Sequence, residues 1–327
     1  MSVDTKSGHT LDLGDPTQVP VSVDFAPQAS LVQLLVTAAA PVPAGRAPHA
    51  IRRSLGPSDS FAVSSFSDAR VRQLPDVVMP LAPGSRASVE DQVDALRSTP
   101  GDVLTKECLD MWGADVPAVW RPALEQPERW LESFANACAR AWKTYRPWWR
   151  QSYPALRREA RRIGLATVMG QTDVLLGQLH PRIRLEGRRL RFTGACDGGS
   201  SLGSRRLVLV PMVSSTSGII ASWEDPNCAY ICYALARPSH ATETGDSLAL
   251  LLGPVRAAIL RSTRYPQSVS ALASRLKCAP STITYHCDQL VAAGLVVRER
   301  RGPATLIGVT EKATELEELT AAYPDWV

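Results

Sequence analysis

The clearest pattern of apolar and polar positions lies in residues 266–309. In two short runs, apolar residues recur there every three or four positions, which is typical of helices that each bury one face. These positions are Leu272, Leu276, Ile283, Cys287 and Leu290. Residues 295–300 and 305–309 instead alternate in a way that predicts two strands. The order helix, turn, helix, strand, strand predicts a winged helix-turn-helix, and DNA is therefore the first partner to consider.

Residue types at the ends of the two helices support this order. Ser268 carries a hydroxyl that is able to cap the first helix, and residues 277–279 form the predicted turn. Pro280 suits the first position of the second helix because the N–H that proline lacks would have no partner there. Gly294 is expected to end that helix in a left-handed conformation.

The buried stripe of the second helix decides which of its side chains face outward. These are hydroxyl, amide, imidazole and phenol groups that form hydrogen bonds with base edges or phosphates, and arginines follow near the tip of the strand pair. We predict DNA contacts by Ser281, Thr282, Thr284, Tyr285, His286, Gln289, Arg298, Arg300 and Arg301. The side chains expected to contact bases are Ser281, Thr284, Tyr285 and Gln289. The others are expected to hold phosphates or the minor groove.

Basic charge is concentrated in the same part of the chain. Residues 247–310 contain eight Lys or Arg residues and two acidic residues, a formal charge of +6, whereas the whole chain carries +4. A basic surface is the electrostatic footprint of a nucleic-acid-binding domain. The alternative is a winged helix that serves only protein contacts.

Several residues of this segment stand at the spacings of a known family. They are residues 272–273, Leu276, 281–284, His286, Leu290, 293–296, 300–302 and Thr310. On these residues the segment resembles the ArsR/SmtB family of bacterial regulators. The resemblance implies a homodimer that binds an inverted-repeat operator, with outer helices at residues 247–261 and 310–323 in the dimer interface. The alternative for Leu316 and Leu319 is packing within their own domain.

The chain departs from the family at two residues and at the metal sites. Ala279 stands where a capping serine is usual, and Cys287 replaces a core leucine. The family's metal sensors use a CxC pair on the first helix of the motif, or His and carboxylate ligands on the last helix. Residues 268–276 contain no cysteine, and residues 310–323 contain glutamates but no histidine. Carboxylates alone are poor ligands for softer transition ions, so we expect no metal and no cofactor.

The first 240 residues have a less regular pattern, and two domains are natural for 327 residues. Residues 1–20 predict a disordered tail, and residues 41–83, rich in proline and serine, predict irregular structure. Helical spacing follows, including two aromatic helices at residues 127–145 and 147–163, and then strand-like runs follow His180.

The predicted fold class is therefore α+β. An N-terminal effector or regulatory domain over residues 21–240 is expected to contain a helical layer with a small antiparallel sheet. The winged helix-turn-helix domain is expected over residues 247–323.

Part of the N-terminal domain also matches known sequences loosely. The matching features are residues 179–183, the loop 194–203, and residues 207–211, 223–226 and 230–236. On these, it resembles an uncharacterised domain found on a subgroup of ArsR-like regulators from high-GC Gram-positive bacteria. The resemblance implies a regulator with an added domain and names no ligand.

Aromatic and arginine side chains crowd residues 130–158. One interpretation is an effector pocket for a flat, anionic small molecule, held by stacking and cation–π contacts. Its predicted residues are Trp142, Tyr145, Arg146, Trp148 and Trp149. Two alternatives remain: a platform for single-stranded nucleic acid, and amphipathic helices whose aromatic side chains build the core. For Cys228 and Cys232, four residues apart, a metal or redox pair and buried structural thiols are both open.

Composition limits the remaining function classes. The chain contains no run of 18 apolar residues and has a polar start, so we expect no membrane span and no signal peptide. Seven cysteines without a regular framework fit a reducing, cytoplasmic location, and the expected DNA binding implies association with the nucleoid. No Walker loop or HExxH motif occurs, so we expect no enzyme.

The expected function is a DNA-binding transcription regulator that a small molecule or protein adjusts through the N-terminal domain. One alternative is a protein-interaction module whose winged helix no longer binds DNA. The other is an enzyme hidden in the N-terminal domain.

Overall fold

A computed structural model describes most of the chain. The described residues are 8–41, 43, 45–68, 70–79, 81, 83–84, 87–194, 198–214, 218–235, 246–301 and 304–320. They divide into two compact units. The first contains the described residues up to 152 and residues 159–235, and the second contains residues 153–158 and 246–320.

Helices form one layer of the first unit. They are α1 (Pro27–Ala39), α2 (Arg46–Ser54), α3 (Ser60–Val63), α4 (Val89–Ser98), α5 (Gly101–Trp112), α6 (Arg121–Glu125), α7 (Pro127–Gln151), α8 (Tyr153–Val168) and α9 (Thr172–Gly177). Residues 153–158, the first turns of α8, belong to the second unit. Short 3-10 turns lie at Ser64–Phe66, Asp76–Val78 and Ala118–Trp120.

The long helix α7 lies at the centre of this layer because one of its faces is apolar along most of its length. Trp130 and Phe134, four residues apart, are fully buried, and their ring centroids lie 5.1 Å from each other. Trp120 packs on Trp130 with centroids 5.2 Å apart. The indole N–H of Trp130 donates to Ser65 Oγ at 2.9 Å. Full burial of each large side chain stabilises the fold by about 1.5–3 kcal/mol or more.

Eight strands form two four-stranded sheets in the described part of the first unit. They are β1 (Gly8–Asp12), β2 (Val21–Val23), β3 (Ile183–Glu186), β4 (Arg189–Thr193), β5 (Gly198–Ser201), β6 (Arg206–Met212), β7 (Ile219–Ser222) and β8 (Cys228–Ala234). The strand orders are β3-β4-β1-β5 and β2-β6-β8-β7.

Both sheets are mixed, which corrects the predicted small antiparallel sheet. β1 pairs antiparallel with β4 and parallel with β5, while β6 pairs parallel with β2 and β8. β8 is buried at every position and β6 at all but the first. Strands buried on both faces are typical of parallel pairing. The class itself, α+β, is confirmed.

Three further expectations differ from the structure. The predicted tail over residues 1–20 contains β1, in which Leu11 is fully buried opposite Leu190 of β4; residues 1–7 lie outside the described part. The predicted irregular segment 41–83 contains α2 and α3, and α2 buries Ala47 and Ile51 at helical spacing. Pro147, expected to begin a helix, lies inside α7.

The second unit is built from short helices and three strands. Its elements after residue 246 are α10 (Ser247–Leu252), α11 (Pro254–Ser262), β9 (Gln267–Ser268), α12 (Val269–Leu276), α13 (Pro280–Ala292), β10 (Val296–Arg301), β11 (Ala304–Val309) and α14 (Glu311–Thr320). β10 and β11 form an antiparallel hairpin, and β9 pairs antiparallel with β11. One apolar core, which includes Leu260, Leu272, Ile283 and Ile307, joins the helices to the hairpin.

Candidate nucleic-acid interface

The first helix of the motif, α12, is bounded by a capping residue, Ser268, at its start and by a left-handed residue, Lys277, at its end. The Ser268 hydroxyl accepts a hydrogen bond from the Ala271 N–H at 3.2 Å, so it caps the helix as predicted. Lys277 ends α12 with a left-handed φ of +52°. This residue and Cys278 turn the chain into α13.

The second helix, α13, buries the predicted stripe. Pro280 stands in its first turn, and Ile283, Cys287 and Leu290 are no more than 1% exposed. At its end the Leu295 N–H donates to the Leu290 carbonyl at 2.9 Å. The Gly294 N–H donates to the Val291 carbonyl, and Gly294 has a φ of +69°. This left-handed glycine end matches the sequence prediction.

The outward face of α13 brings together most of the predicted DNA-contacting side chains. The exposed ones are Ser281, Thr282, Thr284, Tyr285 and Gln289. Tyr285 is 60% exposed, and Gln289 follows it one helical turn later. The Thr284 hydroxyl donates to the Pro280 carbonyl at 2.9 Å, so its proton is already used within the helix. The Thr284 oxygen still has a lone pair with which to accept a hydrogen bond.

His286 lies beside this face rather than on it. It is half-buried, and its ring packs edge-on against the Tyr285 ring at an interplanar angle of 67°, with the centroids 5.3 Å apart. Its Nδ1 atom is buried and has no hydrogen-bond partner within the described part of the chain. His286 is three residues after the buried Ile283 and four before the buried Leu290, so it borders the buried stripe of the helix.

The hairpin places its arginines differently from one another. Arg298 forms an ion pair with Asp288 of α13, with Nη2 and Oδ1 2.5 Å apart. Arg300 is exposed. The side chain of Arg301 lies outside the described residues.

Ion pairs reduce the basic surface that the residue count predicted. Arg261 pairs with Asp246 and Arg264 with Glu317, in addition to the Arg298 pair. Around α12, α13 and the hairpin, the exposed basic side chains that form no ion pair with a described residue are Arg275, Lys277 and Arg300. In the sequence, Arg275 and Lys277 counted only toward the net charge. Their position immediately before α13 is the sequence feature that would have identified them as candidate DNA contacts.

The predicted effector residues do not share one open surface. Tyr145 and Trp149 are 0% and 4% exposed, with ring centroids 6.3 Å apart, so both belong to the core. Trp142 is half-buried and its indole N–H donates to Glu90 at 3.1 Å, while Trp148 is half-buried and Arg146 is exposed. This arrangement favours the core interpretation of the aromatic set.

The first unit contains a cavity that sequence reasoning missed. It has a volume of about 550 Å³, and its walls include Asp76, Val103, Glu107, Glu224, Asp225 and Tyr230. Burial raises the pKa of the Glu107 carboxyl, and the nearby Asp76 carboxylate adds to this effect, whereas the Val77 N–H opposes it. These walls come from three segments far apart in sequence, so no local motif predicts them.

Cys228 and Cys232 lie on β8, and both are buried. Burial raises the pKa of each thiol, which keeps it protonated and poorly reactive. Among the described residues, no group of three or more His, Cys, Asp or Glu side chains is arranged to hold a metal ion.

Comparison with known families bears on the second unit. Residues 251–299, from the end of α10 into β10, match a family described as a helix-turn-helix domain. No curated protein gives a significant match to the chain. No helix in the described part of the chain is long and apolar enough to cross a bilayer. The chain therefore carries a helix-turn-helix domain, which indicates a DNA-binding regulator.

Proposed function

We propose that this protein is an ArsR-like bacterial transcription regulator that binds an inverted-repeat operator as a homodimer. The outward face of α13 carries the proposal, because exposed hydrogen-bonding side chains follow one another along a helix whose opposite face is buried. Such a helix fits the major groove, where base edges present distinct donor and acceptor patterns. The protein acts in the cytoplasm at the nucleoid and is not an enzyme.

Tyr285 and Gln289 are the main base-reading residues in this proposal. They lie one turn apart on the exposed face, so both reach the same groove. A glutamine amide donates and accepts at once and so matches adenine, while a tyrosine hydroxyl and ring contact base edges and methyl groups. Ser281 and Thr284 contact bases nearer the start of the helix.

Phosphate contacts fix the orientation of α13 on the duplex. Arg275 and Lys277 lie just before the helix, and Arg300 lies on the hairpin, which acts as a wing. Ala279, the residue before the first turn of α13, offers no side-chain acceptor to the N–H groups at the helix start. The N–H groups of Ser281 and Thr282 are therefore suited to a phosphate.

Exposed leucines on the outer helices support the dimer. Leu250 and Leu251 of α10 are 78% and 67% exposed, and Leu319 of α14 is 66% exposed. Large apolar side chains so exposed on neighbouring helices are typical of an interface. A two-fold dimer places two α13 helices about one turn of DNA apart, roughly 34 Å, and so requires an inverted repeat.

The first unit adjusts DNA binding in this proposal. Its cavity of about 550 Å³ has the size of a small-molecule site, and an effector that prefers one conformation of the unit would shift the population of DNA-competent dimers. The aromatic set around Tyr145 is the core of the unit and is not proposed as the effector site.

Selection from a randomised duplex library at about 0.15 M salt tests the proposal. The full-length protein is expected to enrich one inverted repeat. Replacing Tyr285→Ala together with Gln289→Ala should relax that preference by about 1–3 kcal/mol per contacted base pair, without abolishing binding.

A salt titration separates phosphate contacts from base contacts. Arg300→Gln should weaken binding to all duplexes alike and reduce the slope of log K against log salt by about 0.9 for each phosphate that is no longer neutralised. Arg184→Gln, the same substitution on an exposed residue of β3 in the first unit, is the matched control and should leave the slope unchanged. Equal effects of the two substitutions would place the interface elsewhere.

The second candidate function is a protein-interaction module. The three ion pairs that neutralise Arg261, Arg264 and Arg298 favour it, because they lower the charge available for DNA. Absence of binding to any duplex, even at low salt and with the protein dimeric, would support this candidate instead.

A further inference from the structure

The ion pair between Asp288 and Arg298 joins the helix that faces DNA to the hairpin. Its 2.5 Å separation is a direct, charge-assisted contact. Asp288 belongs to the third turn of α13 and Arg298 to the middle of β10. The pair therefore connects α13 to the hairpin, and the relative position of these two elements decides which parts of the DNA they contact at the same time.

Strand alternation explains why Arg298 reaches the helix. Side chains two apart on β10 share a face, so Arg298 points to the same side as Val296, which is 1% exposed in the core. Across the hairpin, Arg298 stands opposite Ile307, which is fully buried. The aliphatic part of Arg298 thus lies beside core residues, and its guanidinium extends to Asp288.

Arg300 continues along the same face of β10 and provides a contrast. It is exposed and forms no ion pair within the described residues. Two arginines on one strand face therefore differ in one respect that matters for DNA. The charge of Arg298 is matched by a carboxylate, whereas no carboxylate of a described residue matches the charge of Arg300.

We propose that Asp288 is a positioning residue that acts through Arg298. Its ion pair sets the hairpin against α13 and keeps the Arg298 guanidinium away from phosphates, which limits binding to non-operator DNA. This inference rests on the proposed DNA-binding function. It also reverses the sequence expectation that Arg298 contacts DNA directly.

The energies involved favour an effect on DNA binding over an effect on stability. The two side chains are 38% and 54% exposed, and ion pairs this exposed contribute little to the stability of the fold. One additional phosphate contact steepens the slope of log K against log salt by about 0.9, because it releases further counterions. Over the decade from 1 M to 0.1 M salt, this change in slope corresponds to about eightfold in affinity. Specificity is the difference between operator and non-operator binding, so a phosphate contact that forms on every sequence lowers it.

The test compares salt slopes of four single variants on two duplexes. The duplexes are the one selected from the library and a scrambled duplex of the same length and base composition. On the scrambled duplex, Arg298→Gln is expected to leave the slope of log K against log salt unchanged from wild type. Arg300→Gln should reduce that slope by about 0.9 per phosphate contact. Asp288→Asn should free Arg298 and steepen the slope by about 0.9 per contact, with about eightfold tighter scrambled-duplex binding at 0.1 M salt.

Asp288→Glu keeps a carboxylate opposite Arg298 and is the conservative control. It is expected to keep the wild-type ratio of selected to scrambled binding, whereas a mere helix-surface effect of residue 288 would change that ratio. A reduction of the slope by Arg298→Gln as large as that of Arg300→Gln would overturn the inference. Failure of the wild type to bind any duplex would instead overturn the proposed function, so the two failures are distinguishable.

Discussion

The two units differ in how far apart along the chain their defining contacts lie. In the second unit, the Ser268 cap, the turn at Lys277 and the Gly294 helix end each depend on residues within a few positions. In the first unit, Thr10 of β1 pairs with Arg191 on one side and with Gly199 on the other. Helix boundaries therefore follow from local chemistry, whereas these sheets depend on pairing between strands at opposite ends of the unit's sequence.

The units also differ in where their chemistry lies. The polar side chains proposed for DNA stand on an outer helix face, and the helical period alone identifies them. The carboxylates of the cavity come from a 3-10 turn, a helix and the loop before β8. Only the assembled fold brings them together, so the sequence of the second unit indicates a partner and that of the first does not.

The largest expected effect tests the long-range core of the first unit. Leu209 is fully buried on β6, with strands on both sides, so Leu209→Ala should lower the free energy of unfolding by about 2–5 kcal/mol. Urea denaturation followed by circular dichroism measures this loss. Val168→Ala, at a residue 85% exposed, is the control and should change it by less than about 0.5 kcal/mol. Similar losses for both would contradict the placement of β6.

The next effect tests a local signal of the second unit. Gly294 has a φ of +69°, which costs a residue with a Cβ roughly 1–2 kcal/mol, so Gly294→Ala should destabilise the unit by about that amount. Gly308→Ala is the matched control. A Cβ there would meet Pro266 Cγ at 3.7 Å, an ordinary contact. Thermal unfolding in which Gly308→Ala costs more than Gly294→Ala would contradict the assigned helix end.

A smaller effect sharpens the comparison between the starts of α12 and α13. Ser268→Ala should lose about 1 kcal/mol of unfolding free energy because it removes the cap to Ala271. Ala279→Ser should gain about the same amount, since Ala279 already has the extended conformation of a cap residue, with φ −62° and ψ 141°. Paired denaturation curves measure both changes. A loss of stability in Ala279→Ser would contradict the assignment of Ala279 as the cap residue of α13.

The smallest effect concerns pH. Hydrogen bonds from Arg261 to Asp246 lower the pKa of that carboxyl to about 2, against burial, which raises it. Because this pKa is lower in the folded protein than its unfolded value of 3.8, the carboxylate stabilises the fold fully at pH values above 3.8. This stabilisation is lost as the pH falls through about 2. Wild type should therefore be more stable than Asp246→Asn near neutral pH, and the difference should shrink between about pH 4 and pH 2. Melting temperatures of both proteins across this range provide the measurement, and a constant difference would refute the assignment.

The sequence predicts most of the second unit because its apolar stripe, caps and strand alternation are local. It does not show that His286 is half-buried beside the buried stripe or that Arg298 is paired with Asp288 of α13. In the first unit, the polar start hides β1, whose partner strand lies far along the chain. Proline-rich composition likewise hides α2, which is stabilised by burial of Ile51. The cavity has no sequence signature at all.

The most direct measurement is the selection of duplexes from a randomised library by the full-length protein and by its Tyr285→Ala, Gln289→Ala variant at about 0.15 M salt. The wild type is expected to enrich one inverted repeat. The variant is expected to bind DNA with a wild-type salt slope but without that preference. Equal enrichment of the same repeat by both proteins would contradict the claim that the outward face of α13 reads the sequence.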